Sequence, residues 1–322
     1  MERGDPVTPS PPENERGLIE QAGAALGNGE VTDACLSDLA ARQGIDFATA
    51  ALYQRLRCDP RRSRFYRRLE SAEAPLPSET PRIVIMPGAF AAEYPHTGAD
   101  GSRVMELAST LGWPAERVEL PSLAPMADNG AALVRVLERQ PGRPTIIVSL
   151  SKGGADVRAA IERADAPEKM RDVRAWVSLS GIVSGTPLVA WLRARPIRCC
   201  GARLLLRLRR QRFAVVDELR REPGAPLARP FVLPPTLRAI HVAGFPLERH
   251  LGDAWARRGH ARLAPLGPND GGGILLADVA RLPGDVYPVW GADHYLRPSS
   301  WEIRPLLLRI LQEAARVPTA AG

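Results

Sequence analysis

In this chain of 322 residues, the sequence around one serine is typical of a catalytic nucleophile. Ser151 stands in Ser149-Leu-Ser-Lys-Gly-Gly154, between a β-branched run and a helical pattern. A nucleophile at a strand-to-helix turn needs small neighbours two residues before and after it, because the strand and the helix approach closely there. The amides that begin the helix favour developing negative charge. We therefore predict a nucleophilic Ser151. The competing Ser180 has the bulky Ile182 two residues later, and we expect it to end a strand.

The elements that must position Ser151 alternate along the chain. Short apolar runs predict strands at 82–86, 116–120, 144–149, 174–180, 238–244 and 285–290. Amphipathic patterns between them predict helices at about 101–111, 127–139 and 153–164. Such alternation, with strands that are apolar throughout, indicates a parallel sheet covered by helices on both faces.

The serine turn within this alternation resembles the α/β-hydrolase superfamily, whose lipase- and esterase-like members carry their serine on a nucleophile elbow. The resemblance covers roughly residues 82–315. The superfamily motif begins with glycine where this chain has Ser149, which is small enough for the same packing. The segment Gly181-Ile-Val-Ser-Gly-Thr-Pro-Leu-Val-Ala-Trp191 is similar to the one that leads into the lid region of lipase-like hydrolases. The resemblance implies an α/β-hydrolase fold, with a mostly parallel sheet flanked by helices, a helical cap insertion and a helical N-terminal extension.

The resemblance also implies where an oxyanion would be stabilised. In the superfamily one amide donor comes from the loop after the first of these strands, and the other from the residue after the nucleophile. Here that loop begins Pro87-Gly-Ala-Phe90, so the backbone N–H groups of Ala89 or Phe90 and of Lys152 are the candidates. Gly88 would let the loop turn close to the serine. We expect the Lys152 side chain to face solvent.

The superfamily order of serine, then acid, then histidine indicates the base. His294 follows the last predicted strand and precedes a helical pattern over Ile303–Ala314, which is the placement the family requires. The other downstream histidines lie in a strand pattern or in and after a predicted helix at 247–258: His241, His250 and His260. We therefore expect His294 to take the Ser151 proton.

The acid stays open between Asp270 and Asp253. Asp270 stands in Gly267-Pro-Asn-Asp-Gly271, which resembles the Asn-Asp-Gly loop of lipase-like hydrolases and, as there, precedes an apolar run. It would hold the imidazole in its productive tautomer and stabilise the imidazolium. Asp253 lies nearer the end of strand 238–244 and is the second choice. Asp285 is a weaker rival.

Three segments divide the chain. Residues 1–16 are rich in Pro, Glu and Ser and predict a disordered tail. Residues 17–75 predict a helical N-terminal extension and linker, with one helix capped by Asp33 and another over Ile45–Leu56. A catalytic domain at 82–316 follows, with a helical cap insertion at about 185–236.

The cap insertion contains an Arg- and Leu-rich stretch, Ala202-Arg-Leu-Leu-Leu-Arg-Leu-Arg-Arg-Gln-Arg-Phe213. As a cap, this stretch would line an acyl pocket with Leu and Phe and expose its arginines. As a membrane-surface helix, its arginines would meet anionic headgroups. We favour a cap helix with a solvated basic face, because the rest of the chain is equally rich in arginine.

Composition excludes other classes of protein. The net charge is +7, but Lys152 and Lys169 are the only lysines among 43 basic residues, which indicates a coding bias rather than a nucleic-acid surface. No apolar run approaches the roughly 18 residues of a membrane span. The four cysteines lack disulfide or metal spacing and the N-terminus has no apolar signal region, so we expect a cytoplasmic protein.

These expectations combine into a lipase- or esterase-like serine hydrolase that cleaves carboxylic esters through an acyl-enzyme on Ser151, without metal or organic cofactor. Its expected partners are a small-molecule or lipid ester and, optionally, an acyl carrier, but no nucleic acid. Membrane contact is allowed but not required. One alternative is a thioesterase or acyltransferase acting on chains bound to a carrier protein or coenzyme A, which the basic surface would suit. Another is a non-catalytic interaction protein on a hydrolase scaffold.

Overall fold

Six parallel strands form the centre of the fold. The computed structural model describes residues 11–27, 30–71, 79–121, 123–209 and 211–316. The strands are β1 Arg82–Met86, β2 Ala115–Arg117, β3 Thr145–Leu150, β4 Val173–Leu179, β5 Arg238–Phe245 and β6 Asp285–Trp290. Their order across the sheet is β2-β1-β3-β4-β5-β6, with every neighbouring pair parallel. The predicted sheet is confirmed, although β2 has three residues where five were predicted.

Helices connect and cover the strands. They are α1 Glu13–Gly23, α2 Asp33–Gln43, α3 Ile45–Arg57, α4 Ser63–Glu70, α5 Ser102–Thr110, α6 Met126–Leu137, α7 Gly153–Ile161, α8 Ala166–Lys169, α9 Leu188–Arg193, α10 Pro196–Leu208, α11 Ala214–Glu218, α12 Ala254–Leu263, α13 Leu276–Arg281 and α14 Arg304–Ala314. The helix predicted at 247–258 is instead a 3₁₀ turn at Glu248–His250 followed by α12. Asp253 starts α12 there, because its side chain accepts a hydrogen bond from the Ala256 amide.

Side chains of each strand point alternately to the two faces of the sheet, so the core has two layers. Ile83 and Ile85 of β1 belong to a cluster that includes side chains of α5 and α14. Val84 and Met86 belong to a second cluster that includes side chains of α6 and α7. All four are fully buried. Successive strand side chains point to opposite faces, so a strand covered on both faces needs the continuous apolar run seen in the sequence.

The N-terminal helices belong to the same core. α3 packs on β6, where the Tyr53 and Trp290 rings have centroids 4.8 Å apart. α4 packs against α14 on the other face, and the Tyr66 hydroxyl lies 3.0 Å from the Val286 carbonyl oxygen of β6. The N-terminal extension therefore covers the β6 edge of the sheet from both faces.

The tail is shorter than we expected. Residues 1–10 lie outside the described residues, but α1 begins at Glu13, so the expectation of disorder through residue 16 is wrong. The reason is a buried contact: Glu15 accepts hydrogen bonds from Arg249 (2.7 Å to Nη2) and from the His250 ring (2.8 Å to Nε2). Residues 72–78, which include most of the expected linker, also lie outside the described residues.

Between β4 and β5 the chain leaves the sheet. This segment contains α9, α10, α11 and a 3₁₀ turn at Pro226–Ala228. Within the described ranges, no helix combines the length and apolar character needed to cross a bilayer.

Candidate active site

Ser151 lies in a strained turn between β3 and α7. Its φ is 50°, in the left-handed region that residues other than glycine rarely adopt. A Cβ at Gly153 would lie 2.4 Å from the Met86 carbonyl oxygen, and one at Gly154 would lie 2.8 Å from the Gly181 Cα. The close approach of strand and helix therefore requires glycine two and three positions after the serine. Such strain is typical of a serine held exposed on an elbow.

The residue two positions before Ser151 is accommodated by a hydrogen bond. Ser149 is fully buried, and Trp176 Nε1 on β4 donates to its hydroxyl oxygen at 2.8 Å. This bond satisfies a polar group that burial would otherwise leave unpaired. It explains how serine fits where the superfamily motif has glycine.

The His294 imidazole connects Ser151 to Asp270. Its Nε2 lies 2.9 Å from Ser151 Oγ, and its Nδ1 lies 2.5 Å from Asp270 Oδ2. An ionised carboxylate only accepts hydrogen bonds, so Nδ1 carries the proton and Nε2 can accept from the serine hydroxyl. Burial lowers the pKa of His294, but the Asp270 carboxylate outweighs burial and holds that pKa above its ordinary value. The structure thus brings three residues selected from the sequence into one hydrogen-bonded chain.

Backbone amides hold the Asp270 carboxylate. Its Oδ1 accepts from the amides of Gly272 (2.9 Å), Gly273 (3.1 Å) and Ile274 (3.3 Å). A Cβ at Gly272 would lie 2.0 Å from His294 Cγ, so glycine lets this loop run directly against the imidazole. One carboxylate oxygen is therefore bound by the loop, and the other is directed to His294.

The rival acids have other partners. Asp253 Oδ1 caps α12 through the Ala256 amide at 2.7 Å, and its Oδ2 pairs with Arg297 Nη2 at 2.6 Å. Asp285 pairs with Arg238 at 2.9 Å. Of the two acids that the sequence left open, the structure places Asp270 against the histidine.

The other downstream histidines lie away from Ser151. His241 is buried in β5 with Nε2 3.1 Å from the Pro283 carbonyl oxygen, and burial lowers its pKa to about 4. His250 contacts Glu15, and His260 is buried in α12.

The loop that carries two of the expected oxyanion donors approaches the serine at Gly88. A Cβ at Gly88 would lie 3.3 Å from Ser151 Cβ, which places the loop after β1 against the nucleophile. The amides of Ala89, Phe90 and Lys152 donate to no residue that the structure describes. Lys152 also stands at the N-terminus of α7, where the helix dipole favours negative charge. These donors are available to an oxyanion.

The Lys152 side chain is buried, contrary to our expectation that it faces solvent. Its Nζ lies 2.6 Å from Asp156 Oδ1, and Asp156 Oδ2 accepts from Asn129 Nδ2 at 2.9 Å. Residues four apart lie on the same helix face, so the two side chains meet beneath the elbow. Sequence reasoning missed Asp156 and Asn129, although the Lys-to-Asp spacing of four on a predicted helix was a usable signal.

A narrow pocket lies beside Ser151 and His294. Apolar and aromatic side chains line much of it: Val104, Leu150, Leu179, Tyr295, Leu296 and Leu307. No α10 side chain is among the described residues that line this pocket, but Leu206 of α10 and Phe213 belong to a small apolar cluster with Ala89 and Phe90 of the loop after β1. The described chain also contains no cluster of three or more His, Cys, Asp or Glu side chains that could hold a metal ion.

Comparisons with known proteins bear on the fold. No protein-family model matches the sequence, and no curated protein matches it. Among solved structures, a metagenomic carboxyl esterase matches at 21% identity and a TM-score of 0.57, over 74% of this chain and 76% of the esterase. The mature form of a Bacillus licheniformis lipase matches at 22% identity and a TM-score of 0.51, over 70% of this chain and 89% of the lipase. This similarity, with the parallel sheet and the serine elbow, shows that the chain has the α/β-hydrolase fold.

Proposed function

We propose that the protein hydrolyses carboxylic esters through an acyl-enzyme on Ser151. The observation that carries the proposal is the hydrogen-bonded chain from Ser151 through His294 to Asp270. A serine hydroxyl is a weak nucleophile unless a base takes its proton, and a histidine oriented by a carboxylate is such a base. The strained elbow presents this serine at the N-terminus of α7, where the Lys152 amide donates to no described residue.

Each residue of the site has a role in the proposed reaction. Ser151 Oγ attacks the ester carbonyl while His294 Nε2 takes its proton. The amides of Lys152 and of Ala89 or Phe90 stabilise the oxyanion. The imidazolium, held by its aspartate, gives the proton to the leaving alkoxide. Water then attacks the acyl-enzyme, with the imidazole again as base, and the serine is regenerated.

The pocket supports an ester with a hydrocarbon portion. Leucine, valine and tyrosine side chains lie next to the nucleophile, and such a lining suits an apolar acyl or alcohol group. Two solved structures with this fold are a carboxyl esterase and a lipase, which favours esters as the first substrates to test.

Labelling with a fluorophosphonate probe tests the proposal. The native chain should be labelled, and the Ser151→Ala and His294→Ala variants should not. Ser180→Ala is the matched control, because Ser180 also has a positive φ, of 47°, but its hydroxyl is buried and has no hydrogen-bond partner among the described residues. This control should label as the native chain does.

The same set of variants separates the alternatives. A folded native chain that resists the probe would argue against an activated serine and favour the non-catalytic scaffold. If the probe labels Ser151, p-nitrophenyl esters are compared with acyl-coenzyme A thioesters of the same chain length. If only the thioester is turned over, the protein is a thioesterase and the proposal of ester hydrolysis is wrong.

A further inference from the structure

The cap helix α10 presents an apolar face to solvent. Four large side chains are between 50% and 89% exposed: Ile197, Leu204, Leu205 and Leu208. At about 100° of rotation per residue, all four fall within an arc of about 100°. The side chains of Cys199 and Leu206 project from the opposite side of the helix and are buried. We call the four exposed side chains the apolar ridge. Contiguous exposed apolar side chains mark an interaction surface rather than an ordinary solvated face.

Arginines border the apolar ridge on both sides. In the same helical projection Arg198 and Arg209 lie on one side, and Arg203 and Arg207 lie on the other; all four are exposed. Residues 188–212 contain eight arginines and no Asp or Glu. The segment that carries the ridge therefore supplies no negative charge of its own.

The excess positive charge extends to α12. The guanidinium carbons of Arg195, Arg262 and Arg198 lie 4.1, 4.3 and 5.2 Å from the centroid of the Trp191 ring. These three cations share an indole ring, and within the described ranges none forms an ion pair with a carboxylate. Burial lowers the pKa of Arg262, and repulsion from neighbouring arginines, Arg258 included, lowers it further. An anionic partner would relieve this repulsion.

We propose that the apolar ridge and its arginine border adsorb the protein to the surface of an anionic lipid bilayer. The ridge would enter the boundary between headgroups and acyl chains, and the arginines would bind lipid phosphates. A bilayer accepts a protruding row of side chains from one helix without a matching groove, whereas a protein partner would need one. A border of uniformly positive charge also suits a surface of uniformly negative charge. This attachment does not rest on the proposed ester hydrolysis.

Vesicle sedimentation tests the proposal with the full-length protein. The vesicles are phosphatidylcholine alone or an equimolar mixture of phosphatidylcholine and phosphatidylglycerol. We expect binding to the mixed vesicles and none to phosphatidylcholine. Leu204→Ser/Leu208→Ser and Arg203→Gln/Arg207→Gln should each weaken binding about tenfold or more, because each removes one part of the interaction.

Arg64→Gln/Arg67→Gln is the matched control, since it removes two exposed arginines of α4 and changes the net charge equally. It should bind almost as the native chain does. All altered positions are exposed, and circular dichroism verifies that each variant folds. Failure of the native chain to bind mixed vesicles overturns the proposal, as does an equal loss in the α4 control. A native dimer abolished by Leu204→Ser/Leu208→Ser would assign the ridge to a second copy of the chain instead.

Discussion

The Lys152 ammonium nitrogen lies 2.6 Å from Asp156 Oδ1, one helical turn beyond the elbow serine. Only 2% and 1% of these side chains are exposed. Two charges buried together depend on each other, because neither retains the water that would otherwise solvate it. The residue whose amide is a candidate oxyanion donor is thus fixed by its own side chain to the first turns of α7.

Breaking this pair should be costly. Lys152→Met should lower the free energy of unfolding by about 3–5 kcal/mol, measured by urea denaturation, because it leaves the Asp156 carboxylate buried without its partner. Arg42→Met is the control: it breaks the pair with Asp38, which has the same spacing but is exposed, and should cost about 0.5 kcal/mol or less. Equal losses in the two variants would show that burial adds nothing to the Lys152 pair.

The pH dependence of Ser151 labelling should report His294. The base must be neutral to take the serine proton, and the Asp270 carboxylate holds the pKa of His294 above its ordinary value. The labelling rate should therefore rise with pH through a midpoint above about 6.5. Asp270→Asn removes the negative charge that raises the pKa of His294, while the imidazole stays buried, so the midpoint should move to lower pH. An unmoved midpoint would mean that another group controls the profile.

The two aspartates should differ sharply in their effect on rate. Asp270→Asn should reduce labelling and ester turnover by about 10³–10⁴-fold, because asparagine can orient the imidazole in the wrong tautomer and cannot stabilise the imidazolium. Asp253→Asn should leave the rate almost unchanged, since asparagine also caps helices and Asp253 contacts Arg297 rather than the histidine. A large loss of rate in Asp253→Asn, with none in Asp270→Asn, would assign the orientation of the imidazole to Asp253.

The glycine beside the imidazole gives a steric test. In Gly272→Ala the new Cβ would lie 2.0 Å from His294 Cγ, so either the ring or the acid loop must move. We expect labelling to fall by about 100-fold or more, because small displacements of a base are costly. Gly252→Ala, where nothing lies within 4 Å of the added Cβ, is the control and should label normally. Normal labelling of Gly272→Ala would show that the acid loop tolerates displacement.

Local patterns were sufficient for much of this fold. The six strand segments and the elbow at Ser151 could be predicted, because buried parallel strands require continuous apolar runs and the elbow requires small residues at set positions. The resemblance to α/β-hydrolases is confirmed at the level of the fold. The N-terminal helices could be predicted as helices, but their packing on β6 depends on contacts such as Glu15 with Trp290, which are distant in sequence.

The sequence by itself determined the elements, their order and a short set of chemically suited residues. The tertiary structure decided which of them meet. Asp270 rather than Asp253 reaches His294 because its loop binds one carboxylate oxygen with three amides, while Asp253 caps a helix. Likewise, Lys152 is buried and three of the four α10 leucines are exposed, the reverse of what residue type and position suggested. The physical reason is that propensity and periodicity act between neighbours in sequence, whereas burial and charge pairing depend on segments that only the folded chain brings together.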